Sequence, residues 1–455
     1  MNVISLFVIG YIARKLGTSD FGIFNFVTTF TMLFYPVAMM GLNRVTIRDL
    51  AGMDERQSYA GKMVTLRIVT TFFAIVIIIL AANIIDYPQR TTFAMYLACF
   101  IFMFQLFSES LTDIYNACER MEFTALVRMV AGLTLTALSV IVLYLGFGLY
   151  ELIGVYAFGQ MIGCAVALYL IIKFFFKIRF RINWSFIKEK MRDGFQFFLM
   201  TMMWFAMMRL DTIFLSKKIS MTELGLYLSA IILVRRLSIV PQGIAGSLLP
   251  AISNLQSKGK INETSEVICT FFTKISLIAL PAVIIVSFFA DDIIKIIFGG
   301  QFDGAGIILR IGIWAFLFRC FSFLEFSVLT AFHKEHQMLK SYVFATIYCV
   351  ISNIFLIHFY GSLGAVLAFA STQLTVFIFF TIFTYKTIRT IFYAGELFRI
   401  TILNGALFLF LFFLRSYNIF WVIPSCFLFY FVGALILKLL TLQNLLDLKR
   451  LFKTT

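Results

Sequence analysis

Charge is scarce in this sequence. Only 13% of its 455 residues are Asp, Glu, Lys or Arg, about half the share of a soluble domain, while 61% are hydrophobic and the mean hydropathy is +0.95. No polar stretch is long enough to fold separately, which excludes a soluble protein with a single anchor. Paired cysteines are missing too. The seven, at 99, 118, 164, 269, 320, 349 and 426, include no CxxC and lie mostly inside apolar runs, so they read as small packing residues. Catalytic constellations are absent: there is no Ser-His-Asp, HExxH or Gly-x-Ser-x-Gly arrangement. The glycine-rich segment 299–306 lacks the lysine of a phosphate loop and reads as an outer turn. His333 and His336 have a spacing that suits a metal, but no further ligand clusters with them in their loop. No cofactor, metal or enzymatic activity is expected.

What is present is a series of apolar runs of about 20 residues, each ended by charges or by Gly, Pro and Asn, the pattern of membrane-spanning helices. They fall at 22–42, 63–84, 92–114, 124–146, 150–172, 194–215, 224–246, 268–290, 305–330, 340–358, 362–384, 400–415 and 418–437. A shorter run at 2–13, with no preceding base and no small-residue cleavage site, reads as the second half of a helix rather than a signal peptide. The expected fold is an all-α polytopic membrane protein with about fourteen transmembrane helices.

The formal net charge of +15 invites a nucleic-acid reading, but the bases sit in short loops between apolar runs. One set of loops holds Arg44, Arg48, Arg56, Lys62, Arg120, Arg128, the cluster between Lys173 and Arg192, and further bases through the tail to Lys453. The alternate set holds only Arg14, Lys15, Arg90, Lys217, Lys218, Lys295 and Arg415. This asymmetry makes the first set cytoplasmic, places both termini inside and leaves no role for nucleic acid.

The basic segment divides two halves that resemble each other. Thr18-Ser19-Asp20-Phe21-Gly22-Ile23-Phe24 recurs as Met221-Thr222-Glu223-Leu224-Gly225-Leu226-Tyr227, and Tyr150-Glu151-Leu152-Ile153-Gly154 as Tyr360-Gly361-Ser362-Leu363-Gly364. Each match opens the same helix of its half. The expected organisation is a six-helix lobe at 1–172, a linker at 173–193, a second six-helix lobe at 194–384 in parallel pseudo-two-fold repeat, and two extra helices with a basic tail at 385–455. Transporters built from such repeats hold substrate between the halves and alternate its access.

Charges inside apolar runs mark candidate sites, because each costs roughly 2.5–3.5 kcal/mol at the bilayer centre unless it meets water, a partner or a substrate. Arg209 and Asp211 lie in one such run, and Arg235 and Arg236 in the next. The two adjacent arginines are about 100° apart on a helix, so at least one faces the interior. Asp211 is placed to neutralise Arg209 or Arg236. Arg319 sits deep in its run, whereas Arg310 is near enough to the outer face to snorkel. Glu109 and Asp113 read as partners for Arg120 or loop bases. The 57 phenylalanines read mostly as lipid-facing and packing residues.

The chain resembles the Wzx-type polysaccharide repeat-unit flippases, which group with lipid II flippases and multidrug exporters in one exporter superfamily. The resemblance lies in Ala13-Arg14-Lys15-Leu16-Gly17-Thr18-Ser19-Asp20-Phe21-Gly22, Tyr115-Asn116-Ala117-Cys118-Glu119-Arg120, Leu210-Asp211-Thr212-Ile213-Phe214-Leu215, Gly225-Leu226-Tyr227, and the segments 243–253 and 360–370. It implies a two-lobed fold around a central cavity. It also implies translocation of undecaprenyl-diphosphate-linked oligosaccharide across a bacterial plasma membrane, alongside membrane lipids, polymerase and chain-length machinery. Arg236-Leu237 followed by Pro241 and Leu248-Leu249-Pro250 is similar to a lipid II flippase helix whose arginine faces the diphosphate. A guanidinium suits that group because its planar fork donates two parallel hydrogen bonds. The structural alternative for Arg235 and Arg236 is pairing with a buried carboxylate or carbonyls. A multidrug exporter on the same fold is the nearest rival. A membrane glycosyltransferase or polymerase would carry a large outer loop, and the outer loops here are short.

Overall fold

The computed structural model describes residues 2–51, 56–176, 182–388, 394–414 and 419–439. These residues form helices joined by short turns: α1 (Asn2–Leu33), α2 (Tyr35–Met39), α3 (Leu42–Ala51), α4 (Arg56–Ile84), α5 (Gln89–Ala117), α6 (Met121–Tyr144), α7 (Leu149–Phe174) and α8 (Trp184–Ser216). They continue as α9 (Met221–Leu237), α10 (Ile239–Ser257), α11 (Ile261–Phe288), α12 (Ala290–Phe298), α13 (Gly306–Ala331), α14 (Glu335–Ile388), α15 (Ala394–Phe413) and α16 (Ile419–Ile436). With α1 and α2 taken as one segment and α9 and α10 as another, eleven segments are long and apolar enough to cross a membrane. Large apolar side chains such as Phe72, Phe73, Ile84, Phe355 and Phe413 stand exposed on them, as a hydrocarbon solvent requires. The protein is an all-α, multi-pass membrane protein.

The helix boundaries depart from the hydropathy runs in several places, of which three involve glycine or proline. Residues 2–13 continue through 18–33 as one helix bent at Gly17 (φ 78, ψ 173). The runs 340–358 and 362–384 likewise form one helix of 54 residues bent at Gly361 (φ 54, ψ −126). Both bends need positive φ, which glycine adopts without a Cβ penalty. The third departure is the run 224–246, which ends as α9 at Leu237 and resumes as α10. Pro241 near the start of α10 suits a helix N-terminus, where a missing N–H costs no intrahelical bond.

The chain forms two compact units, Met1–Leu228 and Ser229–Thr455. In the first, α4, α5 and α7 enclose a core that includes Met63, Leu66, Leu111, Tyr115, Ala167 and Ile171. The Tyr115 hydroxyl is buried, and it donates to the Ala167 carbonyl, which satisfies both groups. α8, whose residues 184–193 the sequence places in the linker and 194–216 in the second lobe, packs on α1, α2 and α3. Its buried Lys190 ties it to α3: Nζ meets Asp49 of α3 at 3.0 Å and Asp193 at 3.4 Å, beside the Tyr59 and Phe186 rings. In the second unit α13 is central, packing on α10, α11, α12 and α14, while α15 and α16 close a smaller cluster around Leu407, Leu411, Val422 and Cys426.

The internal repeat has a local structural counterpart. α5 and α13 end alike: Glu119 and His333 take positive φ (57° and 54°). One residue on, the Arg120 N–H returns to the Tyr115 carbonyl and the Lys334 N–H to the Leu329 carbonyl. The two copies of the Gly22/Gly225 motif also touch each other. A Cβ at Gly22 would lie 2.1 Å from the Met221 carbonyl oxygen, and one at Gly225 would lie 2.1 Å from that of Thr18. Thr18 and Met221 are equivalent positions in the repeat, so the contact is reciprocal. Of the basic residues used for topology, Lys177, Arg179, Arg181, Arg389, Arg415, Lys449, Arg450 and Lys453 lie outside the described residues.

Candidate functional site

Two arginines of the second unit share one seam. α9 approaches α13 where Gly312 presents no side chain: a Cβ there would lie 3.2 Å from Val366 and 3.4 Å from Ile231. Arg235 follows Ile231 by one turn and Arg319 follows Gly312 by two, so each stays on the contacting face of its helix. The two guanidiniums are thereby brought within electrostatic range of each other, with Tyr342 of α14 nearby. Arg319 is buried, its Cζ 5.7 Å from the Phe323 ring centroid. Arg235 is half-buried, with Cζ 5.7 Å from the ring centroid of Phe369 on α14. Arg236, the next residue round the helix, is also half-buried. An anion entering the seam would be attracted by both guanidiniums.

Arg209 and Asp211 belong to the first unit. Arg209 Nη1 donates to Thr29 Oγ1 of α1 at 3.1 Å. Asp211 is buried and accepts from the Tyr227 hydroxyl of α9 at 2.5 Å, from the Thr212 N–H at 2.7 Å and from the Thr212 hydroxyl at 3.2 Å. These donors hold the Asp211 carboxyl, and Arg209, two residues away, reaches α1. Of the five candidates, then, Arg235 and Arg319 come together with Arg236 beside them. Arg209 and Asp211 serve contacts among α1, α8 and α9.

The structure also holds a buried polar cluster that sequence reasoning missed. Arg67 of α4 meets Asp113 of α5 at 2.5 Å, and its other nitrogen contacts Met39. One turn away, Glu109 accepts from the Tyr35 hydroxyl at 2.7 Å and from Gln105 at 3.0 Å. Arg120, which the sequence offers alongside loop bases as a partner for these acids, is paired with Glu122 at the exposed end of α6. An arginine four residues inside the run 63–84 was the available signal. Arg310, read as a snorkelling residue, is half-exposed and pairs with Asp291 at 2.7 Å.

Comparison with known proteins bears on the whole chain. A probable low-salt glycan biosynthesis flippase of Haloferax volcanii, Agl15, is 22% identical over 367 residues, covering 80% of this chain and 76% of that protein. The solved structure of the lipid II flippase MurJ in an inward closed conformation superposes with a TM-score of 0.73 at 16% identity, over 96% of each chain. An inward-facing multidrug resistance transporter of the MATE family gives a TM-score of 0.66 at 13% identity, over 86% of this chain and 95% of that one. These structural likenesses establish a shared fold. Residues 11–307, well over half the chain, match the family described as polysaccharide biosynthesis protein, and the chain belongs to that family.

Proposed function

We propose that this protein is a flippase that moves an undecaprenyl-diphosphate-linked oligosaccharide repeat unit across a bacterial plasma membrane. It makes and breaks no covalent bond. The observation that carries the reading is the placement of Arg235 and Arg319 just beyond the contact of α9 with α13 at Gly312, inside a membrane-spanning bundle. Two neighbouring guanidiniums match a diphosphate in charge, and each can donate two parallel hydrogen bonds to phosphate oxygens. The family membership and the glycan-flippase relative support a lipid-linked glycan as cargo. In this reading the cationic seam draws the head group in while the lipid tail stays in the bilayer, and alternating access releases it outside. Arg236 flanks the seam, and Arg209 and Asp211 are further substrate contacts within the first unit. Polymerase and chain-length proteins consume the product, and both termini lie in the cytoplasm. The fold shared with a multidrug transporter supports the rival reading of a drug exporter.

The test compares Lys and Ala at Arg235 and Arg319 by the accumulation of lipid-linked repeat units on the inner leaflet, at matched protein levels. Lysine keeps the charge and loses the fork, so export should fall in the order wild type, Lys, Ala. Each alanine removes a charge-assisted contact of about 1.5–3 kcal/mol, an effect on the order of tenfold to a hundredfold. Normal export by the double alanine variant would refute the head-group assignment. Extrusion of cationic drugs with no effect on lipid-linked glycan would select the rival.

A further inference from the structure

Three acidic side chains are buried among the described residues: Asp113, Asp211 and Glu325. Asp113 faces the Arg67 guanidinium, and Asp211 accepts from Tyr227 and from both donors of Thr212. Glu325, in α13, is different. It is 3% exposed, its Oε1 lies 2.6 Å from the Thr381 hydroxyl of α14, and its Oε2 has no hydrogen-bond partner among the described residues. A carboxylate held this way would leave a charge uncompensated in an apolar interior, an arrangement that persists in membrane helices when it serves function.

The geometry of Thr381 sharpens the point. A hydroxyl has one proton, and Thr381 Oγ1 lies 2.9 Å from the Phe377 carbonyl four residues back, the usual acceptor for a threonine in a helix. With that proton on Phe377, the 2.6 Å contact is a hydrogen bond only if Glu325 is the neutral acid and donates its O–H to Oγ1. With the hydroxyl turned toward α13, the same contact serves the carboxylate. Thr381 can therefore satisfy either form of Glu325 by rotating one bond.

The nearest ionisable group on α14 is the exposed Tyr385, one turn after Thr381 and lining the same cavity. α10 contains none. Arg319, six residues back on α13 and about 120° round the helix, lies beside Arg235. Asp291 of α12 is held by Arg310. α11 carries the half-buried Lys274, and α14 carries Tyr342, close to Arg319, and the exposed Lys386 near its end.

We propose that Glu325, with Thr381, is a proton-binding site of the transport cycle. Glu325 is neutral while the α13–α14 seam is sealed and charged when water reaches it from one side. The balance is simple: a carboxylate oxygen takes a proton from hydronium in water on one face and later returns it to water on the other. Only O–H bonds form and break. The role in a cycle rests on the transporter reading above; proton binding itself does not.

The experiment separates the two. Purified protein in lipid nanodiscs is treated with dicyclohexylcarbodiimide, which adds to protonated carboxyls in apolar surroundings, and the peptide containing Glu325 is followed by mass spectrometry. The adduct should form at neutral pH, decline as pH rises, persist in Glu325→Asp and vanish in Glu325→Gln, with the fold of each variant checked by its melting curve. Sodium chloride should give no protection. Absence of the adduct at every pH would overturn the proposal, and protection by sodium would assign the site to a metal cation instead. In vesicles, flipping of a lipid-linked oligosaccharide should depend on the pH gradient in the wild type and lose that dependence in Glu325→Gln. An unchanged dependence would overturn the coupling role, whereas no flipping by the wild type would count against the transporter reading and leave the labelling result standing.

Discussion

Replacing Arg67 with methionine should be among the most damaging single changes in the membrane interior. The pair it forms with Asp113 has side chains 3% and 12% exposed and a separation of 2.5 Å. Methionine keeps much of the volume but strands a buried carboxylate, and breaking a buried pair in this way costs about 3–5 kcal/mol. An internal control exists: Lys260 and Glu263 are 2.8 Å apart, but their side chains are 49% and 52% exposed. Solvent screens that pair to about 0–1 kcal/mol, so Lys260→Met should cost several times less than Arg67→Met. Removing both buried charges, as in Arg67→Met with Asp113→Leu, should recover most of the loss, because the penalty comes from the stranded charge. The assay is reversible unfolding in mixed micelles of dodecyl maltoside and sodium dodecyl sulfate, followed by tryptophan fluorescence. The reasoning fails if Arg67→Met is no worse than Lys260→Met, or if the double variant is as unstable as the sum of its parts.

Two further outcomes are expected. Single cysteines placed in the segment 182–192 should resist a membrane-impermeant thiol reagent in intact cells, whereas cysteines at Ser220 or Asp303 should react; ready labelling of the segment would invert the topology. Asp49 in α3, outside the spanning segments, is pushed up by partial burial but held below the usual carboxylate range overall by hydrogen bonds from Arg48, Lys190 and Tyr59. Its contribution to stability is therefore fully present above the ordinary aspartate value of about 3.9 and is lost as pH falls through its lower folded value. Asp49→Asn should flatten that acid-side loss in a melting-temperature profile, and an unchanged profile would count against the α3–α8 ion cluster.

The sequence made the helical, membrane-spanning class and the tandem motifs legible because both depend on local pattern. Hydropathy is read residue by residue, and the Gly22 and Gly225 motifs are contiguous. The bends at Gly17 and Gly361 escaped it, since an apolar run interrupted by glycine looks the same whether the helix stops or turns. At the candidate site, Arg235 and Arg319 were recognisable one at a time as costly intramembrane charges. They share a seam because α9 packs on α13 beside Gly312, a tertiary fact with no sequence signature. For Asp113 the sequence offers only Arg120 or loop bases, because it ranks partners by proximity along the chain. The packing of α4 against α5 brought Arg67 instead.

The meeting of Gly22 with Gly225 has a genetic consequence. A methyl group added at either position would enter the same gap between the same two backbones, each 2.1 Å from a carbonyl oxygen. The first alanine must therefore force the helices apart, and once they have parted the second finds the space already open. The two positions behave as one locus: single substitutions are each costly, the pair costs little more than either, and neither is rescued by the other. Selection acting on one copy of the motif is then felt by both. A duplicated segment that touches its own twin cannot diverge there at the pace of its surroundings.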